Sequence, residues 1–368
     1  MIIFFWQNCI SPHQVPYICK VAEDERVEKV YLIAPRVDYE ERKEMGWKSD
    51  ILIEGLDMEV YITPDKKRID ALMQMDPEHA VHLFSGIRGD YGVFQYFLQS
   101  LKYHLKRGFI IEPPYTYDKP LWAHYVRFFL QDWKYIGYFD YVFAIGEDAV
   151  RYYRHWSDRW KVVPFVYCTE IPKLLPSGLL VTNTLSMVFV GSLSKRKDVK
   201  TLLKVFLLLP QDMEVTLDIY GDGEQREVLE KMVQGNSRMN RITFHGRIEM
   251  RRVTEVMQQY DILVLPSLYD GWGAVVNEAL MCGLYVVCSN RCGARALLGP
   301  LMNGSTFRSG DSDDLYQLIR YCYRRRLEIK GNREARRQWS KCISGTSVAR
   351  YMLDNLTTKN LITEPWAE

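Results

Sequence analysis

The stretch Pro266-Ser267-Leu268-Tyr269-Asp270-Gly271-Trp272-Gly273-Ala274-Val275-Val276-Asn277-Glu278-Ala279-Leu280-Met281-Cys282-Gly283 sets two carboxylates on either side of a glycine-rich turn, seven residues apart. Gly271 and Gly273 permit a tight turn whose free N–H groups can face an anion. The helix that follows, Gly273–Cys282, is apolar on nearly every side and is expected to be buried. Glu278 sits inside it, and a buried carboxylate needs hydrogen-bond donors. Side chains on a helix lean toward its N-terminus, so Glu278 reaches back over the small Ala274 toward the glycine-rich mouth. Two partners suit it equally well: a vicinal diol such as ribose hydroxyls, or a lysine or arginine from a neighbouring helix.

Two more loops carry chemistry. Gly191-Ser192-Leu193-Ser194-Lys195-Arg196-Lys197-Asp198 gathers three cations between a strand and a helix, where the helix start already favours anions. It reads as a diphosphate clamp built on Arg196 and Lys197, with Asp198 as cap, or as a solvated basic turn. Tyr220-Gly221-Asp222-Gly223-Glu224 allows close backbone approach or simply a tight turn. Neither loop is a phosphate-binding P-loop or a dinucleotide fingerprint. His13 stands in the loop after the first strand, where it is either structural or a contact for an acceptor or phosphate. His79 and His82 either share a helical face or lie incidentally at the start of a strand. Asp311-Ser312-Asp313 opens a late helix and reads as a cap, not a metal site. Cys282, Cys288 and Cys292 lack zinc spacing and read as apolar fillers, so no metal and no cofactor are expected.

The elements that must position these residues alternate strand and helix. Strand-length apolar runs are Met1–Trp6, Val30–Ala34, Val81–Phe84, Phe109–Ile111, Tyr141–Ile145 and Val162–Val166, with a clear helical pattern at Val93–Leu105. Pro172–Gly178 reads as a linker. The alternation restarts with strands Met187–Val190, Val215–Tyr220, Ile242–His245, Ile262–Pro266 and Tyr285–Ser289, then a long helical tail from Asp313 to about Cys342 and a last helix at Thr346–Asn355. The expected fold is α/β: two Rossmann-like domains, 1–170 and 171–345, facing across a cleft, with a helical tail 346–368 crossing back to the first. In such sheets ligands bind beyond the strands' carboxyl ends, so the strand-to-helix loops are the place for chemistry.

Composition narrows the classes. At roughly 150 residues per domain, 368 residues suggest two domains. With 48 Lys+Arg against 46 Asp+Glu the net charge is +2, which argues against charge-driven nucleic-acid binding. Met1–Trp6 lacks a basic flank and a cleavage pattern and is expected to be a buried strand instead of a leader. No apolar run reaches membrane-spanning length, and the eight scattered cysteines fit reduced thiols in the cytoplasm. Aromatics are dense between Tyr115 and Trp160, with cations interspersed: either a packed aromatic core with a charged exterior, or a membrane-facing or sugar-stacking surface.

The motifs together resemble the C-terminal domain of retaining glycosyltransferases of family 4, which have the GT-B fold. Asp270-Gly271-Trp272-Gly273, Glu278-Ala279 and Cys282-Gly283 keep the family's spacing. Phe189-Val190-Gly191, Tyr220-Gly221-Asp222-Gly223, Phe244-His245-Gly246-Arg247 and Asn303-Gly304 follow its order. The resemblance covers about Met187 to Asp311. It implies that Glu278 holds the ribose of a nucleotide-sugar and that Asp270 touches donor-sugar hydroxyls. It further implies that the N–H groups of Trp272, Gly273, Ala274 and Val275 meet sugar and phosphates, that Lys197 is the family's diphosphate lysine, that Gly191 and Gly221 belong to the nucleotide-sugar site, and that Arg247 and Ile248 lie against the base. The chain departs from the family in having Ser192 after Gly191 in place of arginine, with Arg196 as the replacement cation. It has Asp270 where the longer Glu is usual, and Ser11-Pro12-His13-Gln14 where a glycine-rich loop is usual. Glu112 stands at the strand end closest to the family's mid-domain histidine, on the acceptor side, and Asp270 and His13 are the catalytic candidates. The implied activity is sugar transfer with retention from a nucleoside-diphosphate sugar, UDP first and GDP second, to a saccharide or lipid-linked saccharide, without a metal. Peripheral membrane contact and surface-polysaccharide synthesis accompany that reading. A nucleotide-sugar 2-epimerase and a non-catalytic nucleotide-sugar binding protein are the alternatives.

Overall fold

The computed structural model describes residues 1–40, 58–173, 183–299 and 303–367. Most of the stretch read as a linker, from residue 174 on, lies outside the described residues. The chain divides into two compact units, one of Met1–Glu170 with Ile343–Trp366, the other built on Ile171–Cys342.

The first unit carries a seven-stranded sheet: β1 (Ile2–Trp6), β2 (Lys29–Ala34), β3 (Glu59–Ile62), β4 (Ala80–Ser85), β5 (Lys106–Ile111), β6 (Tyr141–Ile145) and β7 (Lys161–Phe165). The strands pair in parallel in the order β3-β2-β1-β4-β5-β6-β7. All five β1 residues are buried, because a parallel sheet is covered on both faces and accepts an unbroken apolar run. β3 escapes the sequence pattern: Glu-Val-Tyr-Ile is a half-buried edge strand with no apolar run to mark it.

His82 proves to be a core residue of β4. It stacks on Phe4 at 4.4 Å, and the Trp6 indole N–H donates to its Nδ1 at 3.1 Å. Burial, with Arg107 nearby, drives its pKa down to about 3, so it is neutral. His79 is exposed, 2.9 Å from Asp76. The aromatic segment splits in two. Phe128, Tyr135, Tyr152 and Trp160 are buried in the core, whereas Trp122, Phe129 and Trp133 are exposed. Helix Gly345–Thr357 packs on helix Val15–Ala22, where Asp354 accepts from Arg26 at 2.7 Å.

The second unit carries β8 (Leu185–Val190), β9 (Val215–Tyr220), β10 (Ile242–Gly246), β11 (Ile262–Leu265), β12 (Tyr285–Ser289) and β13 (Gly304–Phe307), all parallel, in the order β10-β9-β8-β11-β12-β13. β13 was not evident in the sequence. The long tail is three helices, Ser312–Arg324, Arg326–Gly331 and Arg333–Ser340, broken where Arg325 and Asn332 leave helical geometry. In each sheet the strand order reverses once, between β1 and β4 and between β8 and β11. Loops that diverge from such a reversal leave a crevice at the carboxyl ends of the strands.

Candidate active site

The reversal in the second unit lies between β8 and β11, and the loops leaving these two strands meet over it. Lys197 follows β8 and Asp270 follows β11. The Lys197 ammonium is 2.5 Å from Asp270 Oδ2, with both side chains little exposed. Arg196 donates to the Tyr269 carbonyl at 2.9 Å and stands 3.7 Å from Asp270 Oδ1. The Leu268 N–H returns to the Arg196 carbonyl at 2.8 Å. The two cations read as a diphosphate clamp are thus both drawn to the carboxylate read as a sugar contact. Ser267 completes the surroundings, its hydroxyl 3.5 Å from Asp270 Oδ2. Asp198 is the residue before helix Val199–Leu207, in a left-handed conformation at φ +48°.

Gly221 is explained by one contact with Gly191. A Cβ on Gly221 would lie 1.8 Å from the Gly191 carbonyl oxygen, so the loops after β8 and β9 touch backbone to backbone. Gly191 N–H donates to the Tyr220 carbonyl at 3.0 Å and Gly221 N–H to that of Gly246 at 2.7 Å. Arg247 and Ile248 follow at once. Arg247 is exposed and 3.6 Å from Asp222, and Ile248 is half-buried.

The turn between Asp270 and helix Val275–Met281 is held from behind. Gly293 N–H donates to the Asp270 carbonyl at 3.0 Å, and Ala294 N–H to that of Trp272 at 2.7 Å. The Cys292 thiol points at the same Trp272 carbonyl, 3.0 Å away. A Cβ on Gly293 would sit 2.1 Å from the Gly271 carbonyl oxygen. Trp272 turns its ring inward, and the indole N–H donates to Asn277 Oδ1 at 2.7 Å. Its ring is therefore part of the packing. The N–H groups of Gly273, Ala274 and Val275 have no acceptor among the described residues.

Of the two partners that the sequence left open for Glu278, the lysine or arginine is not found among the described residues. Its half-buried carboxylate has no hydrogen bond or ion pair among the described residues, and burial pushes its pKa up to about 7. The arginines of the neighbouring helix Arg333–Ser340 are engaged elsewhere. Arg333 donates to the Gln258 and Tyr260 carbonyls, Arg336 to that of Gly283 and Arg337 to that of Cys282. Arg336 and Arg337 close the carboxyl end of helix Val275–Met281, and Arg333 that of helix Val253–Met257, where cations belong.

Residues 172–342 match the family model of glycosyl transferases group 1. An uncharacterised glycosyltransferase of Methanocaldococcus jannaschii is 25% identical over 236 residues, 61% of this chain and 57% of the relative. The O-antigen chain mannosyltransferase B of Escherichia coli is 31% identical over 106 residues, 28% of each chain. The matches thus span a little over half and about a quarter of these relatives' lengths. Across nearly the whole chain, the structure of Anabaena HepE in complex with UDP superposes with a TM-score of 0.71 at 16% identity, covering 97% of this chain and 100% of that one. The lipopolysaccharide outer core galactosyltransferase WaaB gives 0.68 at 15% identity, with 98% and 100% covered. The fold is GT-B, and the second unit matches the glycosyl transferases group 1 model over nearly its whole length.

In this GT-B chain the first unit's candidates lie at the carboxyl ends of their strands. His13 stands between β1 and helix Val15–Ala22, and its carbonyl accepts from the Cys168 N–H at 3.2 Å. Glu112 follows β5, and its Oε1 accepts from the Tyr167 hydroxyl at 3.0 Å. Neighbouring residues of one segment, Tyr167 and Cys168, therefore anchor both. Asp311 caps helix Ser312–Arg324, accepting from the Asp313 and Asp314 N–H groups. The brace of the second unit's glycine turn, Cys292-Gly293-Ala294, was missed in the sequence. Cys292 looked like filler, and the lone Gly293 was the single available signal.

Proposed function

We propose that the chain is a retaining glycosyltransferase of family 4 that moves a sugar from a nucleoside-diphosphate sugar, UDP before GDP, to a hydroxyl of a saccharide or lipid-linked saccharide. Work on surface polysaccharide at the inner face of a membrane belongs to the same reading. The observation that carries it is the Glu278 carboxylate, raised in pKa and unpartnered, on the helix entered by a glycine turn with unused N–H groups. A ribose diol supplies the two O–H donors this carboxylate lacks. The diphosphate is matched by Lys197, Arg196 and the N–H groups of Gly273, Ala274 and Val275, a set of donors fixed before the ligand arrives.

Donor binding then exchanges partners. The diphosphate draws Lys197 from Asp270, and the released carboxylate accepts hydrogen bonds from sugar hydroxyls. In front-face transfer the departing diphosphate gathers charge against these cations and helps to accept the proton of the incoming hydroxyl. HepE was crystallised with UDP and with UDP-glucose, which supports UDP as the first nucleotide to try. The test is thermal denaturation with UDP, GDP and ADP. A nucleotide at 100 times its dissociation constant adds about 2.7 kcal/mol, and Glu278→Gln should abolish the response. A Glu278→Gln protein that responds as strongly as the parent sinks the assignment. Donor breakdown without any acceptor would point to the epimerase instead.

A further inference from the structure

The first unit presents a ridge that the other described residues leave uncovered. Helix Leu121–Gln131 and the turn Trp133–Tyr138 bury His124, Phe128 and Tyr135 on one side. On the other side Trp122, Val126, Phe129, Leu130 and Trp133 stand 69%, 50%, 59%, 73% and 50% exposed. The helical period explains this. Positions 122, 126 and 129 fall on one face, with 130 beside them, and Trp133 continues it, its ring 5.7 Å from that of Phe129. A soluble surface tolerates scattered apolar residues, but a contiguous strip of this kind marks something that covers it.

The charges beside the strip say what. Lys119, Arg127 and Lys134 are exposed along residues 119–138. The acid within that span, Asp132, is buried and paired with Arg88 at 2.5 Å, so it adds no free negative charge. Asp118 and Asp140 are the exposed acids at the two margins. On the neighbouring helix Glu147–Arg154, joined to this one by Tyr125 on Tyr152 at 4.9 Å, Arg151 and Arg154 are exposed beside Glu147 and Asp148, and that flank is balanced. The strip itself is therefore apolar and aromatic with a cationic border. A convex ridge of this kind needs no matching groove in a fluid medium, and tryptophan is favoured at the boundary between headgroups and hydrocarbon.

We infer that the ridge Trp122–Trp133 docks the protein on an anionic lipid bilayer, its apolar side chains entering the interface while Arg127 and Lys134 meet lipid phosphates. This deepens the membrane contact proposed above and does not depend on the sugar-transfer chemistry. Among the described residues no helix is long and apolar enough to cross a membrane, so the contact is one of lying on the surface.

The experiment is flotation of the full chain with vesicles of phosphatidylcholine alone or mixed with phosphatidylglycerol. The parent should float with the mixed vesicles and be released by high salt. Trp122→Glu/Leu130→Glu should lower the bound fraction about tenfold or more. Its melting temperature and its nucleotide response should stay those of the parent, since both positions are exposed. Arg127→Glu/Lys134→Glu should lose the preference for phosphatidylglycerol without altering the fold. A parent that floats with neither vesicle, or an apolar double variant that floats like the parent, overturns the proposal. A lipid-free dimer abolished by Trp122→Glu/Leu130→Glu overturns it as well, because the ridge would then face another protein. A parent that floats but ignores nucleotides upholds this contact while the donor assignment fails.

Discussion

Lys197 and Asp270 form a close ion pair, 2.5 Å from nitrogen to oxygen, between the loops that leave β8 and β11. These strands are neighbours at the one reversal of the second sheet. The pair therefore spans the crevice where an α/β sheet binds its ligand, and each member holds the other in the absence of one.

The two halves of that pair should separate in kinetics. Lys197→Ala removes a phosphate contact and should weaken UDP binding about 10- to 100-fold, read by calorimetry. Asp270→Asn releases Lys197 and should bind UDP as tightly as the parent or more so. Its turnover with donor and acceptor should fall about 100-fold or more. Equal loss of UDP affinity in both variants would show that Asp270 serves only to hold the lysine.

Glu278 predicts a pH signature of defined sign. Its folded pKa of about 7 lies above the ordinary glutamate value of 4.5, so between these limits the native state holds the extra proton. Stability should fall as pH rises from 4.5 through 7, by about 3 kcal/mol in all for this group. Glu278→Gln keeps the shape without the charge, and urea unfolding at pH 8 should find it more stable than the parent. The parent's affinity for UDP-glucose should rise across pH 6 to 8 as the carboxylate forms. An affinity flat over that range removes Glu278 from the ligand.

His82 predicts the opposite slope. Its pKa of about 3 lies below the usual imidazole value of 6.5, so the unfolded chain binds the extra proton between these limits. Its contribution is full above pH 6.5 and declines below, by about 1.4 kcal/mol per unit. His82→Phe leaves the Trp6 indole without its acceptor and should lose about 1–3 kcal/mol near neutrality. Urea midpoints at pH 7 and pH 5 should nonetheless lie closer together in the variant than in the parent.

Gly293→Ala tests the brace of the glycine turn. Its Cβ would meet the Gly271 carbonyl oxygen at 2.1 Å, so the turn must shift. The turn lies at the surface end of the sheet, so the expected stability loss is about 1–3 kcal/mol. The melting response to UDP should vanish with it. Gly221→Ala, whose Cβ would meet Gly191 backbone at 1.8 Å, should destabilise more, because two strand-end loops must part. Survival of the UDP response in Gly293→Ala would show that the turn tolerates movement.

The chain's own order of residues determined the alternation of strands and helices, because unbroken apolar runs such as Ile2–Trp6 and Ile262–Leu265 fit only strands covered on both faces. It also determined the three loops and the placing of Glu278 one helical turn behind Ala274, since these follow from local period and spacing. It left β3 and β13 unmarked, for an edge strand is recognised by its neighbour and not by its own composition. Only the tertiary structure decided that Lys197 and Arg196 turn to Asp270, some seventy positions away, and that the arginines at 333, 336 and 337 satisfy backbone carbonyls and leave Glu278 alone. It also decided that Trp272 is a wedge and Gly293 a brace. Partner choice among charges and contacts between distant backbones depend on which strands lie side by side, and that order is set by packing the whole sheet.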